Sequence, residues 1–396
     1  MPIVIQILLI ALASAAIVPA VCLFVLTVAA GRRRQLPARA RVTSGKEPVV
    51  AVLVPAHNES RHILPTLESL RAELAQGDTL LVIADNCTDD TASVAQAAGV
   101  RVLERHCAGL RGKGYALDAG VRHLKQDGRY DVLVIVDADC TLEPGSIRRI
   151  AAECAASQRP VQMLNMMQAP AGASVRVRVL EFAWVMKNLV RPLGMERLGG
   201  ACHLSGTGMA LPWSLAAAAK LATGHIAEDM QLGVELALAG KPALFSTSGT
   251  IRSEFPTDAT VARTQKSRWE RGTLSVLRKM LPGLALAAVR RRNRALAAMA
   301  IDLVVPPIAL YTTVLGGLWA MALPLHWTAF WQAACVLDAG MAALVASIAL
   351  GWLRHGRYLL HAREVLALAP YLAWKLPVYV GLALRQRVGW VRTERF

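Results

Sequence analysis

Aromatic residues make up only 5% of this 396-residue chain, and charged residues only 18%. The stretch from Met1 to Gly31 has no charge at all. No two of the seven cysteines (Cys22, Cys87, Cys107, Cys140, Cys154, Cys202 and Cys335) form a Cys-x-x-Cys pair. An odd count at irregular spacing predicts neither a disulfide framework nor a zinc site, and we read the thiols as reduced. There is no His-Glu-x-x-His run. The first predicted strand is not followed by Gly-x-Gly-x-x-Gly, and Gly206-Thr207-Gly208 lacks the third glycine. Gly112-Lys113 is not followed by Ser or Thr, which excludes a P-loop. Any nucleotide must therefore be bound by another device.

Apolar residues are plentiful, at 54%, and the net charge is +16. A balance this apolar predicts membrane segments beside a soluble domain. Residues 1–31 suffice for a spanning helix, which needs roughly 20 apolar residues. No positive residue precedes the apolar run, which argues against a cleaved signal peptide. Arg32, Arg33, Arg34, Arg39, Arg41 and Lys46 follow in a basic linker, 32–47, and predict that this side faces the cytoplasm. A second apolar region begins after the basic run Arg290–Arg292 and Arg294. Ala295–Leu323 and Leu325–Leu353, around Pro324, predict a transmembrane hairpin (295–353). Asp302 and Asp338 inside it should either face a bundle interior or reach the interface from near a helix end. Val365–Leu384 contains Pro370, Lys375 and Pro377 between basic flanks, so 354–396 reads as an interfacial or re-entrant helix with a basic tail, with a fourth span as the alternative. With the basic residues gathered at membrane borders, no nucleic-acid partner is implied; membrane lipids are.

Between about Pro48 and Gly249 the pattern is different. Val49–Val54, Thr79–Ala84, Val100–Leu103, Tyr130–Val136 and Val161–Leu164 predict buried strands. Ile63–Leu74, Thr91–Ala98, Lys113–Leu124 and Ile147–Ser157 predict helices, with Gly99 placed as a helix-ending glycine. The alternation predicts an α/β fold, a mainly parallel sheet with helices on both faces. Ligands bind at the carboxyl ends of the strands in such sheets.

Polar residues stand at those ends. Asp85 closes the second strand, where it could take a base or ribose, or serve in an Asx turn. The helix cap beside it falls to Asn86, Thr88 and Asp89. Asp137 and Asp139 end a buried apolar strand. Two carboxylates spaced two apart project the same way and suit Mg²⁺ or Mn²⁺ carrying phosphate oxygens. Glu228 and Asp229 open a helix, where acidic residues also favour the dipole. Gln265, Arg268 and Trp269 enter an amphipathic helix read as interfacial over Thr273–Val289 (domain segment 272–294). Arg268 could clamp phosphate and Trp269 could stack on a sugar, or both could anchor at a membrane surface.

Taken in order, Pro55-Ala-His-Asn-Glu59, Asp85, Asp137-Ala-Asp139, Glu228-Asp229 and Gln265-x-x-Arg268-Trp269 resemble the inverting family 2 glycosyltransferases of GT-A fold. The last element resembles the membrane-bound branch with the cellulose, chitin and hyaluronan synthases. Ala84-Asp-Asn-Cys-Thr-Asp-Asp90 and the Trp390 ending look like its bacterial exopolysaccharide enzymes. The resemblance implies a GT-A domain over 48–271, with N-terminal and C-terminal transmembrane helices. It also implies transfer from a nucleotide-diphosphate sugar, a UDP-sugar, to a saccharide or lipid-linked acceptor. It places Pro55, Glu59, Asp85, Lys113, Asp137, Gln265, Arg268 and Trp269 at the donor, and Asp139 with Asp137 at Mg²⁺ or Mn²⁺. Asp229 would be the base with Glu228 beside it, and Ser205, Gly206 and Trp269 would face the acceptor. The expected location is the plasma membrane, multi-pass, with the catalytic domain cytoplasmic and polysaccharide-export proteins as candidate partners. Two alternatives are a polyprenyl-phosphate sugar transferase and a non-catalytic membrane scaffold. The Gln265–Trp269 element argues against the first, and retention of every acidic position against the second.

Overall fold

The structure, a computed structural model, describes residues 2–31, 47–128, 130–256 and 259–365. The basic linker 32–46 and the segment expected at Val365–Leu384 with its tail fall outside the described residues, apart from Val365 itself.

In chain order the elements are α1 (Pro2–Ala30), β1 (Val50–Ala56), α2 (Ile63–Arg71), β2 (Thr79–Asp85), α3 (Thr91–Ala97), β3 (Arg101–Arg105) and α4 (Lys113–Leu124). Then come β4 (Val132–Ile135), β5 (Thr141–Leu142), α5 (Ser146–Ser157), β6 (Val161–Gln168) and α6 (Val175–Val185). A π-helical turn, Met186–Val190, leads into α7 (Arg191–Gly199), β7 (Met209–Pro212), α8 (Trp213–Ala218), α9 (Glu228–Leu238) and β8 (Leu244–Glu254). The remainder is helical: α10 (Ala259–Arg290), α11 (Arg294–Val304), α12 (Ile308–Ala322), a 3-10 turn (Leu323–Trp327), α13 (Trp331–Gly351), a second π-helical turn (Trp352–Gly356) and α14 (Ala362–Val365).

The chain divides into two compact units. The sheet unit takes in 34–168 and 200–272. Its described strands form one eight-stranded sheet in the order β3-β2-β1-β4-β7-β6-β8-β5. β7 runs antiparallel to β4 and β6, and β5 antiparallel to β8, while the other neighbours are parallel. The sheet is thus mixed, with four parallel and three antiparallel neighbour pairs, and its parallel strands β2, β1 and β4 are near-continuous apolar runs. Alternate residues of β1 face opposite sides. Val50, Val52 and Val54 join Ile63 and Leu67 of α2 and Ile147 and Ile150 of α5 in one core. On the other side α4 comes so close that a methyl at Gly120 would stand 3.1 Å from Leu53 and 3.0 Å from Ile83. Helices therefore cover both faces. Gly99, at φ +73, ends α3 in the left-handed conformation expected of it. β2 and β4 flank β1 on opposite sides, so the chain's winding reverses there and opens a crevice at the strand ends.

The described residues of the helical unit are 2–31, 169–199 and 273–365. Within it α7 packs with α1 and α11. Small residues permit this. A methyl at Gly194 of α7 would overlap the Leu26 carbonyl of α1, and one at Gly199 the Arg294 carbonyl of α11. Arg197 donates to the Ala29 and Ala30 carbonyls, where α1 ends without further partners along the helix. Tyr311 Oη bridges Ala20 N (3.1 Å) and Ala16 O (2.8 Å) beside Pro19 of α1. The expected span Ala295–Leu323 is instead two helices, α11 and α12, broken at Pro306 and Pro307, which cannot continue a helix ladder. Four described helices are long and apolar enough to cross a membrane: Ile3–Ala30, Ser267–Arg290, Ile308–Trp327 and Trp331–Gly356.

Of the two acids in the apolar region, Asp302 faces the interior of the helical unit. Arg191 of α7 holds it bidentately, Nε to Oδ1 at 2.7 Å and Nη2 to Oδ2 at 2.9 Å, with both side chains under a tenth exposed. Removing one partner of a buried pair strands the other charge and costs about 3–5 kcal/mol. Asp302→Ala should therefore lower the thermal stability of the purified protein markedly. Replacing both partners with apolar residues, Arg191→Met with Asp302→Leu, should recover most of the loss. Equal stability of Asp302→Ala and wild type would show that the pair does not hold α7 to α11.

Candidate active site

The carboxyl ends of β1, β2 and β4 bring the expected polar residues to one edge of the sheet. β1 ends at Pro55-Ala56, and the turn after it is tied to β2's end. His57 Nδ1 lies 2.6 Å from the Asp85 carbonyl, and Asn58 Nδ2 donates to Thr88 Oγ1 at 2.9 Å. Asn58 and Asn86 take left-handed φ values of 57 and 53, a conformation asparagine tolerates. Glu59 donates its backbone N–H to Thr91 Oγ1 (2.8 Å), and its carboxylate lies 3.6 Å from His62. Asp89 accepts from Thr91 N at 3.1 Å, whereas the N-cap of α3 is Asp90, which makes no side-chain cap hydrogen bond, so the capping expected of Asn86, Thr88 and Asp89 is not what is seen. Burial opposes the charge of Asp89, but hydrogen bonds from Thr91 and Ser60 hold its carboxyl below the ordinary value.

Asp85 is buried, and its Oδ1 accepts from Arg105 Nη1 (2.5 Å) and Asn86 Nδ2 (3.0 Å). Arg105 also donates to the Leu110 carbonyl (2.8 Å) and lies 5.8 Å from the centre of the Tyr115 ring. Sequence reading misses Arg105. The parallel register that sets Asp85 opposite Arg105 is the signal that finds it.

The centre of the site is built on Lys113. Its Nζ donates to Asp137 Oδ1 and, at 2.6 Å, to the Gly206 carbonyl. Gly206 has φ +85, and a methyl there would stand 3.2 Å from Asp229 Oδ2 and 3.6 Å from Lys113 Nζ. Lys113, Asp137, Gly206 and Asp229 therefore converge from α4, the end of β4, the approach to β7 and the start of α9. Gly114 lets α4 press against the Leu221 and Thr223 carbonyls, where a methyl would clash. A small cavity opens beside Glu228 and Asp229, with Leu117, Leu232, Lys220 and Gln231 on its walls.

The charges interact. Burial works against the Lys113 ammonium, but Asp137, Glu228 and Asp229 outweigh it and hold its pKa above the ordinary value. Burial pushes Asp137 up, as do Asp139 and Asp229, while Lys113 opposes them. Glu228 is pushed up to about 7, first by burial and then by the charge of Asp229.

Thr207, in the same loop as Ser205 and Gly206, accepts from Asp137 N at 3.0 Å and fixes the turn after β4, a role the sequence does not show. The Cys140 thiol points to Asp139 Oδ1 at 3.5 Å. Ser205 donates its N–H to Gln162 Oε1 at 2.9 Å, and its hydroxyl is buried without a hydrogen-bond partner among the described residues. Gln265 is buried in the first turns of α10, and Arg268 and Trp269 are partly exposed. A methyl at Gly272, one turn on, would stand 3.1 Å from Ala227 Cβ. The Gln265–Trp269 element and the Glu228–Asp229 element are thus neighbours.

A sheet of this order, with acidic side chains gathered at its carboxyl edge, is an α/β fold whose ligand crevice lies at the strand ends. The model of the family described as "Glycosyltransferase like family 2" matches residues 48–272, more than half of the chain. The chain belongs to this family and is a glycosyltransferase, and its α/β domain has the GT-A-like fold. No curated protein matches it. Among solved structures it is similar to the mannosyltransferase PcManGT from Pyrobaculum calidifontis, solved in complex with GDP-Man and Mn²⁺. Identity is 16%, coverage 88% of this chain and 99% of that one, and the TM-score 0.55. A second similar structure is glucosyl-3-phosphoglycerate synthase from Mycobacterium tuberculosis, solved with Mn²⁺, UDP and phosphoglyceric acid. Here identity is 19%, coverage 58% and 78%, and the TM-score 0.38.

Proposed function

We propose that this glycosyltransferase is membrane-bound and moves a sugar from a nucleotide-diphosphate donor onto a hydroxyl of a saccharide or lipid-linked acceptor, inverting the anomeric centre. The observation that carries the reading is the convergence of Lys113, Asp137, Gly206 and Asp229 at the end of β4.

Asp229 takes the proton from the attacking hydroxyl, acting as general base. Its carboxylate lies against Gly206, beside the Lys113 ammonium. Asp85 receives the base through Oδ2 while Arg105 and Asn86 hold Oδ1. Lys113 and Arg268 meet the negative charge that grows on the leaving diphosphate. Gln265 and Trp269 close over the diphosphate and the acceptor end, Pro55 and Glu59 shape the edge of the donor site, and Ser205 belongs to the acceptor-facing loop. Asp139 and Asp137 are hard oxygen donors crowded by like charge, a set that fits a divalent cation. Bound there, Mg²⁺ or Mn²⁺ would supply Lewis-acid neutralisation of the diphosphate.

The basic borders of α1 and α10 support a cytoplasmic catalytic domain. The four long apolar helices support residence in the plasma membrane, and the Gln265–Trp269 element supports a role in cell-surface glycan synthesis. The donor is a UDP-sugar in this reading. A GDP-sugar is the competing donor, since the similar structure that spans 88% of this chain was solved with GDP-Man.

Lys113→Met tests the arrangement. A hydrogen bond to a charged group contributes about 1.5–3 kcal/mol, so transfer should fall by about 10–150-fold in kcat/KM. The protein should remain folded in its membrane extract. Near wild-type kcat/KM would show that Lys113 braces the fold and takes no part in transfer.

A further inference from the structure

A group of metal-type ligands lies in the helical unit, apart from the transfer site. His326 is in the 3-10 turn after α12, and Cys335 and Asp338 are on α13. One nitrogen, one sulfur and one oxygen donor lie within 4.8 Å of one another. Cys335 and Asp338 are three residues apart and so share a face of α13. His326 folds back onto that face, with Nε2 3.2 Å from Asp338 Oδ2. Trp319 of α12 donates Nε1–H to Asp338 Oδ1 at 2.8 Å and fixes the carboxylate's orientation. Cys335 is a free, exposed thiol. The spacing in sequence hides this trio, because it is neither Cys-x-x-Cys nor His-Glu-x-x-His. Only the return of the chain after α12 assembles it.

A His326–Asp338 ion pair accounts for two of the three groups and leaves the thiol beside them without a role. A mixed nitrogen, sulfur and oxygen set suits a borderline transition ion, whereas Mg²⁺ and Ca²⁺ prefer oxygen alone. Bond lengths of about 2.0–2.3 Å place tetrahedral ligand atoms about 3.5 Å apart, so the trio needs only a small contraction. The hydrogen bond from Trp319 is the kind of outer contact that orients a ligating carboxylate.

We propose that His326, Cys335 and Asp338 form a Zn²⁺-type site at the turn between α12 and α13. Neutral His326 coordinates through Nε2, with its proton on Nδ1. Asp338 coordinates through Oδ2 while Oδ1 keeps the Trp319 hydrogen bond. The Cys335 thiol releases its proton to solvent on binding and coordinates as thiolate. Water takes the fourth position. The ion ties the turn to α13 and neutralises a carboxylate carried on an apolar helix.

The test uses the full-length protein in detergent or nanodiscs. Alkylation of Cys335 by a maleimide is followed by mass spectrometry of its peptide, with and without added Zn²⁺. We expect Zn²⁺ to slow Cys335 alkylation by about tenfold or more, because the coordinated thiolate is no longer a free nucleophile. His326→Ala should abolish this protection. Trp319→Phe should weaken Zn²⁺ affinity by roughly 10–100-fold. Co²⁺ should give a thiolate charge-transfer absorption band in the wild type that Cys335→Ser removes. Alkylation of wild-type Cys335 at the same rate with and without Zn²⁺ would overturn the proposal. So would a Co²⁺ band that persists in Cys335→Ser. Both outcomes are read on wild type or on a conservative variant and do not depend on His326→Ala folding.

Discussion

Asp229→Asn is expected to lower sugar transfer by about 10²–10⁴-fold, the usual loss when a general base is removed. The competing role for Asp229 is a first-turn charge on α9, and that role is worth only about 0.3–1 kcal/mol of stability. The two differ enough in size for one variant to separate them. Asparagine keeps the shape and most of the hydrogen bonding, so the variant should fold and still bind nucleoside diphosphate through Asp85, Lys113 and Asp137. Glu228→Gln should be milder, since neighbours on a helix point about 100° apart. Transfer rates of the two variants, measured beside equilibrium binding of the diphosphate, decide the matter. Near wild-type transfer by Asp229→Asn would move the base elsewhere, with Glu228 as the first place to look.

Chelation should have an effect of similar size. A cation held as proposed by Asp139 and Asp137 would contribute several kcal/mol of charge stabilisation, so its removal should cost about 10³-fold or more in rate. Activity should disappear in EDTA and return when excess Mn²⁺ or Mg²⁺ is added. Asp139→Asn should need a higher metal concentration for half-maximal rate. Asp85→Asn should leave the metal requirement unchanged while weakening the nucleotide. Full turnover in chelator would contradict the assignment of Asp137 and Asp139.

The first half of the sheet unit was legible because β1, β2 and β4 are buried on both faces and read as unbroken apolar runs. α4 is helical from Lys113 to Leu124, as its pattern predicts. The second half was harder. β8 carries Ser, Thr, Gly and Arg, yet most of it is buried against α5 and β6, with a register shift opposite Met163/Leu164. Nothing in its local composition marks it as a strand. α6 begins Val175-Arg-Val-Arg-Val, an alternation with strand period, and is helical because its place among the helices of the other unit overrides local propensity. The break at Pro306 and Pro307 was available from proline chemistry alone.

In the site, the sequence pattern singles out Asp85, Asp137 and Asp139 because carboxylates at strand ends are costly without a purpose, while the roles of Glu228 and Asp229 rest on the resemblance. Their partners are not legible in the same way. Arg105 and Thr207 act through register and through the return of the chain before β7, long-range features that no spacing along the sequence encodes. Gly206 was found for its place in a loop. Its reason is geometric: its carbonyl receives Lys113, and its bare Cα leaves room for Asp229.

The central claim is that the Asp229 site transfers sugar from a nucleotide-diphosphate donor. The direct measurement is release of nucleoside diphosphate by the purified full-length protein, in Mn²⁺, from a panel that includes UDP-sugars and GDP-mannose. One donor should be consumed, release should need the metal, and Asp229→Asn should abolish it. Binding of no nucleotide sugar on the panel, or release that Asp229→Asn leaves unchanged, would contradict it.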